Sequence, residues 1–279
     1  MAITYRTNNT ASGAASTIVI TKPSGTVDGD LLIAVFGSLD NSVQTLSGWT
    51  SIVVGNSGGG GTNSSTQSFY KIASSEGSDY TWTVNSSVMC AGCILRVDGQ
   101  QASPIGSSEG FGNTSGGTSL SGGSGITPAN GDNFFIQAWS AYFLGTGGIG
   151  DMTAQAIATS NPSWTEICDL GPNSGGNAVE LSVVYGQRSQ TTGTGANSAT
   201  LSLSPHKHSG VFLEFKRITA FTSTITDTAT VTDAITPSIG YTAIITDTVT
   251  ATDSTIADKA RAYSNTQKNT STWSNTQKS

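Results

Sequence analysis

The chain has 279 residues, of which 41 Thr, 40 Ser and 34 Gly make up about two in five, while 11% are charged and the formal net charge is -6. Lys and Arg are few and scattered, which excludes the basic stripe of a nucleic-acid binder, and the longest apolar run, Leu31 to Phe36, is six residues, far short of a membrane-spanning helix. Few windows favour a helix and no charged, then apolar, leader opens the chain, so the composition predicts an all-β protein with a small-polar surface.

In chain order, the polar stretch Thr7 to Ser16 reads as one candidate for an attachment arm. Pro23-Ser24-Gly25-Thr26-Val27-Asp28-Gly29-Asp30 then forms a turn feeding the apolar run from Leu31. Gly48-Trp49-Thr50-Ser51-Ile52 and Ser68-Phe69-Tyr70-Lys71 follow, and Tyr80-Thr81-Trp82-Thr83-Val84 alternates with period two. Ala91-Gly92-Cys93-Ile94-Leu95-Arg96-Val97 closes this set. The same blocks recur in the same order: Asn130-Gly131-Asp132 before Phe134-Phe135-Ile136, then Ser163-Trp164-Thr165-Glu166-Ile167, Val183-Val184-Tyr185-Gly186 and Ser209-Gly210-Val211-Phe212-Leu213-Glu214-Phe215. Many short strands with Gly-rich turns predict a duplicated, jelly-roll-like β-sandwich body, with repeats at 1–105 and 106–218. Two small sandwiches and one larger interleaved sandwich both satisfy this pattern.

A composition break near Ile218 opens a Thr/Ser-rich appendage, 219–279, with no Leu and with Gly240 as its one Gly. Ile225-Thr226-Asp227-Thr228-Ala229-Thr230-Val231-Thr232-Asp233 returns 20 residues on as Ile245-Thr246-Asp247-Thr248-Val249-Thr250-Ala251-Thr252-Asp253. On a strand each copy puts Thr alone on one face. Tyr263-Ser264-Asn265-Thr266-Gln267-Lys268 recurs as Trp273-Ser274-Asn275-Thr276-Gln277-Lys278. The segment has little apolar area to offset roughly 1–2 kcal/mol per residue of backbone ordering, so it is read as an assembly or attachment tail. Its expected contacts are Ile225, Val231, Ile245, Val249, Tyr263 and Trp273, pairing through added strands with copies of the chain or other partners.

The motifs that carry chemistry all have plainer readings. Gly145-Thr146-Gly147-Gly148-Ile149-Gly150 fits G-x-G-x-x-G but precedes no helical pattern, so no dinucleotide cofactor is expected. Cys90 and Cys93 lie three apart on a strand, point to opposite faces and cannot easily bridge, and three cysteines are too few for a disulfide framework. That fits folding in a reducing cytosol. His206 and His208 are the candidate metal ligands, a half-site that only a symmetry axis would complete. The Asp residues of the tail lack the spacing of a Ca²⁺ loop. No catalytic triad signature appears, and Glu76, Glu109, Glu166, Glu180 and Glu214 are isolated in sequence, so no enzyme is expected. Trp49 and Trp164 sit at equivalent repeat positions and read as core, whereas Trp273 has no core to enter.

Asp28-Gly29-Asp30-Leu31-Leu32-Ile33-Ala34-Val35, Gly48-Trp49-Thr50, Phe69-Tyr70-Lys71-Ile72-Ala73, Tyr80-Thr81-Trp82-Thr83 and Ala91-Gly92 before Ile94-Leu95-Arg96 resemble uncharacterised β-sandwich structural proteins of tailed bacteriophages. The resemblance spans about 1–218 and its motifs are structural. It implies a non-enzymatic virion component, a capsid decoration or tail- or fibre-associated protein, made in the host cytoplasm. Its partners would be copies of itself and other virion proteins such as the capsid lattice, with no nucleic acid and no membrane insertion. Two alternatives stand beside it: a carbohydrate-binding adhesin or receptor-binding module that stacks surface glycans on exposed aromatics, and a subunit of a bacterial surface filament at the cell surface.

Overall fold

Leu31–Leu39 is buried at all nine positions, so this strand has no solvent face and shows no alternation. The computed structural model explains why: a sheet packs on each side of it. The structure describes residues 3–218 apart from 41–42, 60–61, 86–87, 130, 132, 146–149, 160 and 175–176. The first half consists of β1 (Thr4–Ala14), β2 (Thr17–Thr21), β3 (Leu31–Leu39), β4 (Thr50–Asn56), β5 (Ser64–Ile72), β6 (Asp79–Thr83) and β7 (Met89–Asp98). The second consists of β8 (Gln100–Asn113), β9 (Ser119–Gly122), β10 (Asn133–Leu144), β11 (Met152–Ile157), β12 (Thr165–Leu170), β13 (Asn173–Ser174), β14 (Asn177–Arg188), β15 (Asn197–Leu201) and β16 (Lys207–Arg217).

The protein is all-β, and the duplication read from the sequence is visible in the strand order. The first half forms a sheet β1-β7-β3-β5-β4; the second forms β8-β16-β10-β14-β12, the same order with β13 added beside β14. Each large sheet carries a smaller one on its outer face, β2-β6 in the first half and β9-β15-β11 in the second. Where β11 lies beside β15, the first half has the single bridge Val43↔Val84. Within each half the first strand lies beside the last and the second beside the next to last, which is the jelly-roll arrangement of an antiparallel sandwich. The registers coincide as well: Leu32 faces Arg96 and Phe36 faces Gly92 in the first half, and Phe135 faces Glu214 and Trp139 faces Gly210 in the second.

Three apolar cores separate the four layers. Ile18, Ile20, Phe36, Phe69, Tyr80 and Trp82 fill the space between the first large sheet and its small one. Phe135, Trp139, Phe143, Met152, Leu201 and Phe212 do so in the second half. Between the two large sheets, Ile33, Val35, Cys93 and Leu95 of one half meet Ile136, Val183, Val211 and Leu213 of the other. Each half is therefore a small sandwich, and the two share a third, central core. Burying one such aliphatic side chain contributes about 1.5–3 kcal/mol. Toward one end this core turns polar: Ser64 Oγ donates to the Ser140 carbonyl at 2.9 Å, and the hydroxyls of Thr66 and Ser209 lie 2.9 Å apart. The buried hydroxyls are thus partnered across the halves.

The two seams between the large sheets differ. Where β4 meets β8 the backbones touch, and a methyl added at Gly55 would overlap the carbonyl oxygen of Gly210, one at Gly110 that of Val54. At the equivalent seam, β1 and β12, side chains fill the gap instead: Tyr5 stacks on Tyr185 at 5.0 Å, and Tyr185 on Phe134 at 5.4 Å.

Two sequence expectations change here. Most of the polar stretch Thr7 to Ser16 is not an arm. It lies within β1, which pairs with β7 along its length, and Gln187 Nε2 ties the carbonyl of Ile3 to the second half at 2.7 Å. An edge strand whose faces are only partly buried has a polar composition, and that hid it. The expected repeat boundary at 105 falls inside β8, which pairs wholly with β16; the chain passes from one half to the other at Gly99, where φ is 84°.

Candidate functional site

The expected assembly contacts Ile225, Val231, Ile245, Val249, Tyr263 and Trp273 lie outside the described residues, as do the Asp and Thr rows of the tail. The body is one compact unit, Met1–Phe221, and its last strand, β16, is an inner strand of the second large sheet.

His206 and His208 do not form a pair. His206 is exposed just before β16 and meets the edge of Tyr142 at 5.8 Å. His208 is buried between layers beside Trp139, with a ring nitrogen 3.3 Å from the Ser121 carbonyl oxygen. Burial lowers its pKa, only partly offset by its backbone hydrogen bonds. A buried neutral ring is what a core histidine requires. Among the described residues no three His, Cys, Asp or Glu side chains are grouped to hold a metal.

The cysteines follow their strand geometry: Cys90 enters the outer core of the first half and Cys93 the central core, on opposite faces of β7. All three are free thiols. Cys168 on β12 comes to the central core, where interaction with Cys93, a partner that the sequence did not single out, and then burial raise its pKa.

Trp82 and Trp139 are fully buried and Trp49 nearly so. Trp164 is half-buried, packs on Phe212 and donates from Nε1 to Asn161 Oδ1 at 2.7 Å. Among the described residues no Phe, Tyr or Trp side chain is exposed, and the exposed large apolar residues are aliphatic, such as Val19 and Leu144.

What the body presents instead is hydroxyl. The outward face of β2-β6 carries Thr17, Thr21, Thr81 and Thr83 around Val19, and the outward face of β9-β15-β11 carries Ser119, Ser121, Thr153 and Thr200. A cleft of about 200 Å³ opens where β1 turns into β2, between Ala11, Gly13, Ala15, Ile18 and Val19, with Cys90 and Val84 in its wall.

The charged side chains of the body hold loops. Glu76 Oε2 accepts from Lys71 Nζ at 2.8 Å and from the Tyr80 hydroxyl at 2.9 Å. Although burial alone would raise it, these donors and the Ser74 amide lower the pKa of Glu76. Glu109 accepts the amides of Ser124 and Gly125 at 2.6 and 2.8 Å. One acidic pair was not foreseen. Glu180, isolated in sequence within the apolar strand β14, meets Asp169 of β12. A Glu flanked by Val179 and Leu181, within the stretch of β14 buried from Ala178 to Val184, was the signal available.

No family model matches the chain, and neither a curated protein nor a solved structure does.

Proposed function

We propose that this chain is a non-enzymatic structural protein of a phage virion, a capsid decoration or tail- or fibre-associated component, joined to its neighbours through the C-terminal repeats. The observation that supports this reading is that, among the described residues, both sandwiches are closed by Arg217, with β16 the last strand and an inner one. The Thr-rich repeats that follow in the sequence have the composition of strands that pair with other chains. Repeated weak contacts on a lattice then give avidity. Hydroxyl-lined outer faces suit a body that projects into solvent without aggregating. The test is occupancy on particles: the full chain joins them, and residues 1–218 fold but do not. Wild-type occupancy by the truncated protein would refute the mechanism.

A further inference from the structure

The acidic pair buried beside the loop into β11 goes beyond the assembly role and does not depend on it. Glu180 is wholly buried, and its Oε2 accepts the amide of Gly150 at 2.9 Å. Asp169 Oδ2 accepts the amide of Met152 at 2.8 Å. Asp169 on β12 stands opposite Ser182, so its carboxyl lies on the same face of the sheet as that of Glu180, two residues away on β14, and the two groups interact. Their remaining oxygens, Glu180 Oε1 and Asp169 Oδ1, are buried and accept from no donor among the described residues. Two ionised carboxylates in that position would repel with neither oxygen satisfied, which costs several kcal/mol.

We propose that Glu180 and Asp169 share a single proton, and that this acid–carboxylate hydrogen bond latches the first turn of β11 onto β12 and β14, opening in alkali. Each carboxyl grips one amide of the segment Gly150 to Met152, so the shared proton joins three elements at one point. The charged groups acting on the pair are Asp151, at the entry to β11, and Glu166, on β12. Opposite Glu180 on β10 stands Ala141, and residues 146–149 contain nothing titratable. No Lys, Arg or His forms an ion pair with either carboxyl among the described residues. With only acids nearby, holding the proton is the way to limit the charge.

Burial first, then the charge of Asp169, pushes the Glu180 carboxyl up to about 9, and Asp169 is raised too, by burial first. The folded protein therefore keeps a proton that the unfolded chain has lost above its ordinary pKa of 4.5. Stability from this pair is fully present at low pH and is lost as pH rises toward 9.

The experiment compares urea unfolding of the full chain and of Glu180→Gln from pH 6 to 10. The amide keeps an acceptor for Gly150 and supplies an N–H to Asp169 without a proton to lose. The ratio of folding constants, wild type to variant, should fall by up to about tenfold per pH unit below the upper pKa. Parallel pH profiles would overturn the proposal. So would a rise in wild-type stability on adding Ca²⁺ at pH 8 that EDTA reverses, because it would assign the free oxygens to a cation. A second readout needs no variant. Infrared spectra of the wild type at pH 7 should hold one buried carboxylic-acid C=O band that vanishes in alkali; its absence at pH 7 would refute the shared proton.

Discussion

Arg96 and Glu214 occupy the same place in the two halves with opposite charge. Each lies on the last strand of its half, opposite Leu32 or Phe135 of the central strand. In the first half Arg96 Nε donates to Asp30 Oδ2 at 2.6 Å, and Asp30 also accepts the Val27 amide at 2.9 Å. In the second half the carboxylate has moved to the strand: Glu214 accepts from Asn133 Nδ2, from the Ala129 amide at 2.8 Å and from the Ser107 amide at 2.7 Å. Both solutions put one buried carboxylate against the turn that enters the central strand, and both satisfy it.

That equivalence is testable by exchange. Arg96→Glu alone sets a second carboxylate against Asp30 and should cost about 3–5 kcal/mol in urea unfolding. Adding Asp30→Asn rebuilds the Asn133–Glu214 arrangement in the first half and should regain at least half of the loss. Simple addition of the two single effects would show that the positions are not equivalent.

The glycine seam predicts a sharp contrast. Gly55→Ala and Gly110→Ala drive a methyl into carbonyl oxygens of the opposite sheet, which have no room to yield, and each should destabilise by about 1–3 kcal/mol or more. Gly13→Ala, with nothing within 4 Å of the new methyl, should stay within about 0.5 kcal/mol of wild type. Equal effects at Gly13 and Gly55 would deny the close approach of β4 and β8.

His208 sets part of the acid limb. Its lowered pKa means the unfolded chain binds a proton that the folded chain refuses, so stability is present above the ordinary value of 6.5 and is lost as pH falls through the window below it. Melting curves from pH 7 to 4.5 should show a shallower decline for His208→Gln than for wild type. An unchanged slope would place the ring in solvent.

Cys90 should be inert while the body is folded. Burial pushes its pKa up to about 12, leaving roughly one part in ten thousand as thiolate at pH 8. Alkylation followed by peptide mass mapping should modify Cys90 only after unfolding, with no Cys90–Cys93 disulfide while the body is folded. Labelling of Cys90 in the native protein would contradict its place in the outer core.

Much of this architecture was legible. Blocks such as Gly48-Trp49 and Ser163-Trp164 carry the duplication, and the alternation of Tyr80-Thr81-Trp82-Thr83 puts Tyr80 and Trp82 on one face, which the structure buries. What stayed hidden depends on contacts between halves. Ile33 and Ile136 meet across the central core, but a strand buried on both faces has no alternation to say which side meets what. Edge strand β1 hid for the opposite reason, having little apolar burial to display. His206 and His208 would share a face only on one continuous strand, and β16 starts at Lys207, so His208 lies in the strand and His206 before it. Asp169 and Glu180 are eleven positions apart, and the register of β12 on β14 brings them together.

The central claim is that the body is self-sufficient and the C-terminal repeats do the assembling. The direct measurement is the light-scattering mass of the full chain beside that of residues 1–218. The account predicts a defined oligomer or larger assembly for the full chain and a folded monomer for the truncated one. A truncated protein that assembles as the full chain does would contradict it, since the contacts would then belong to the body.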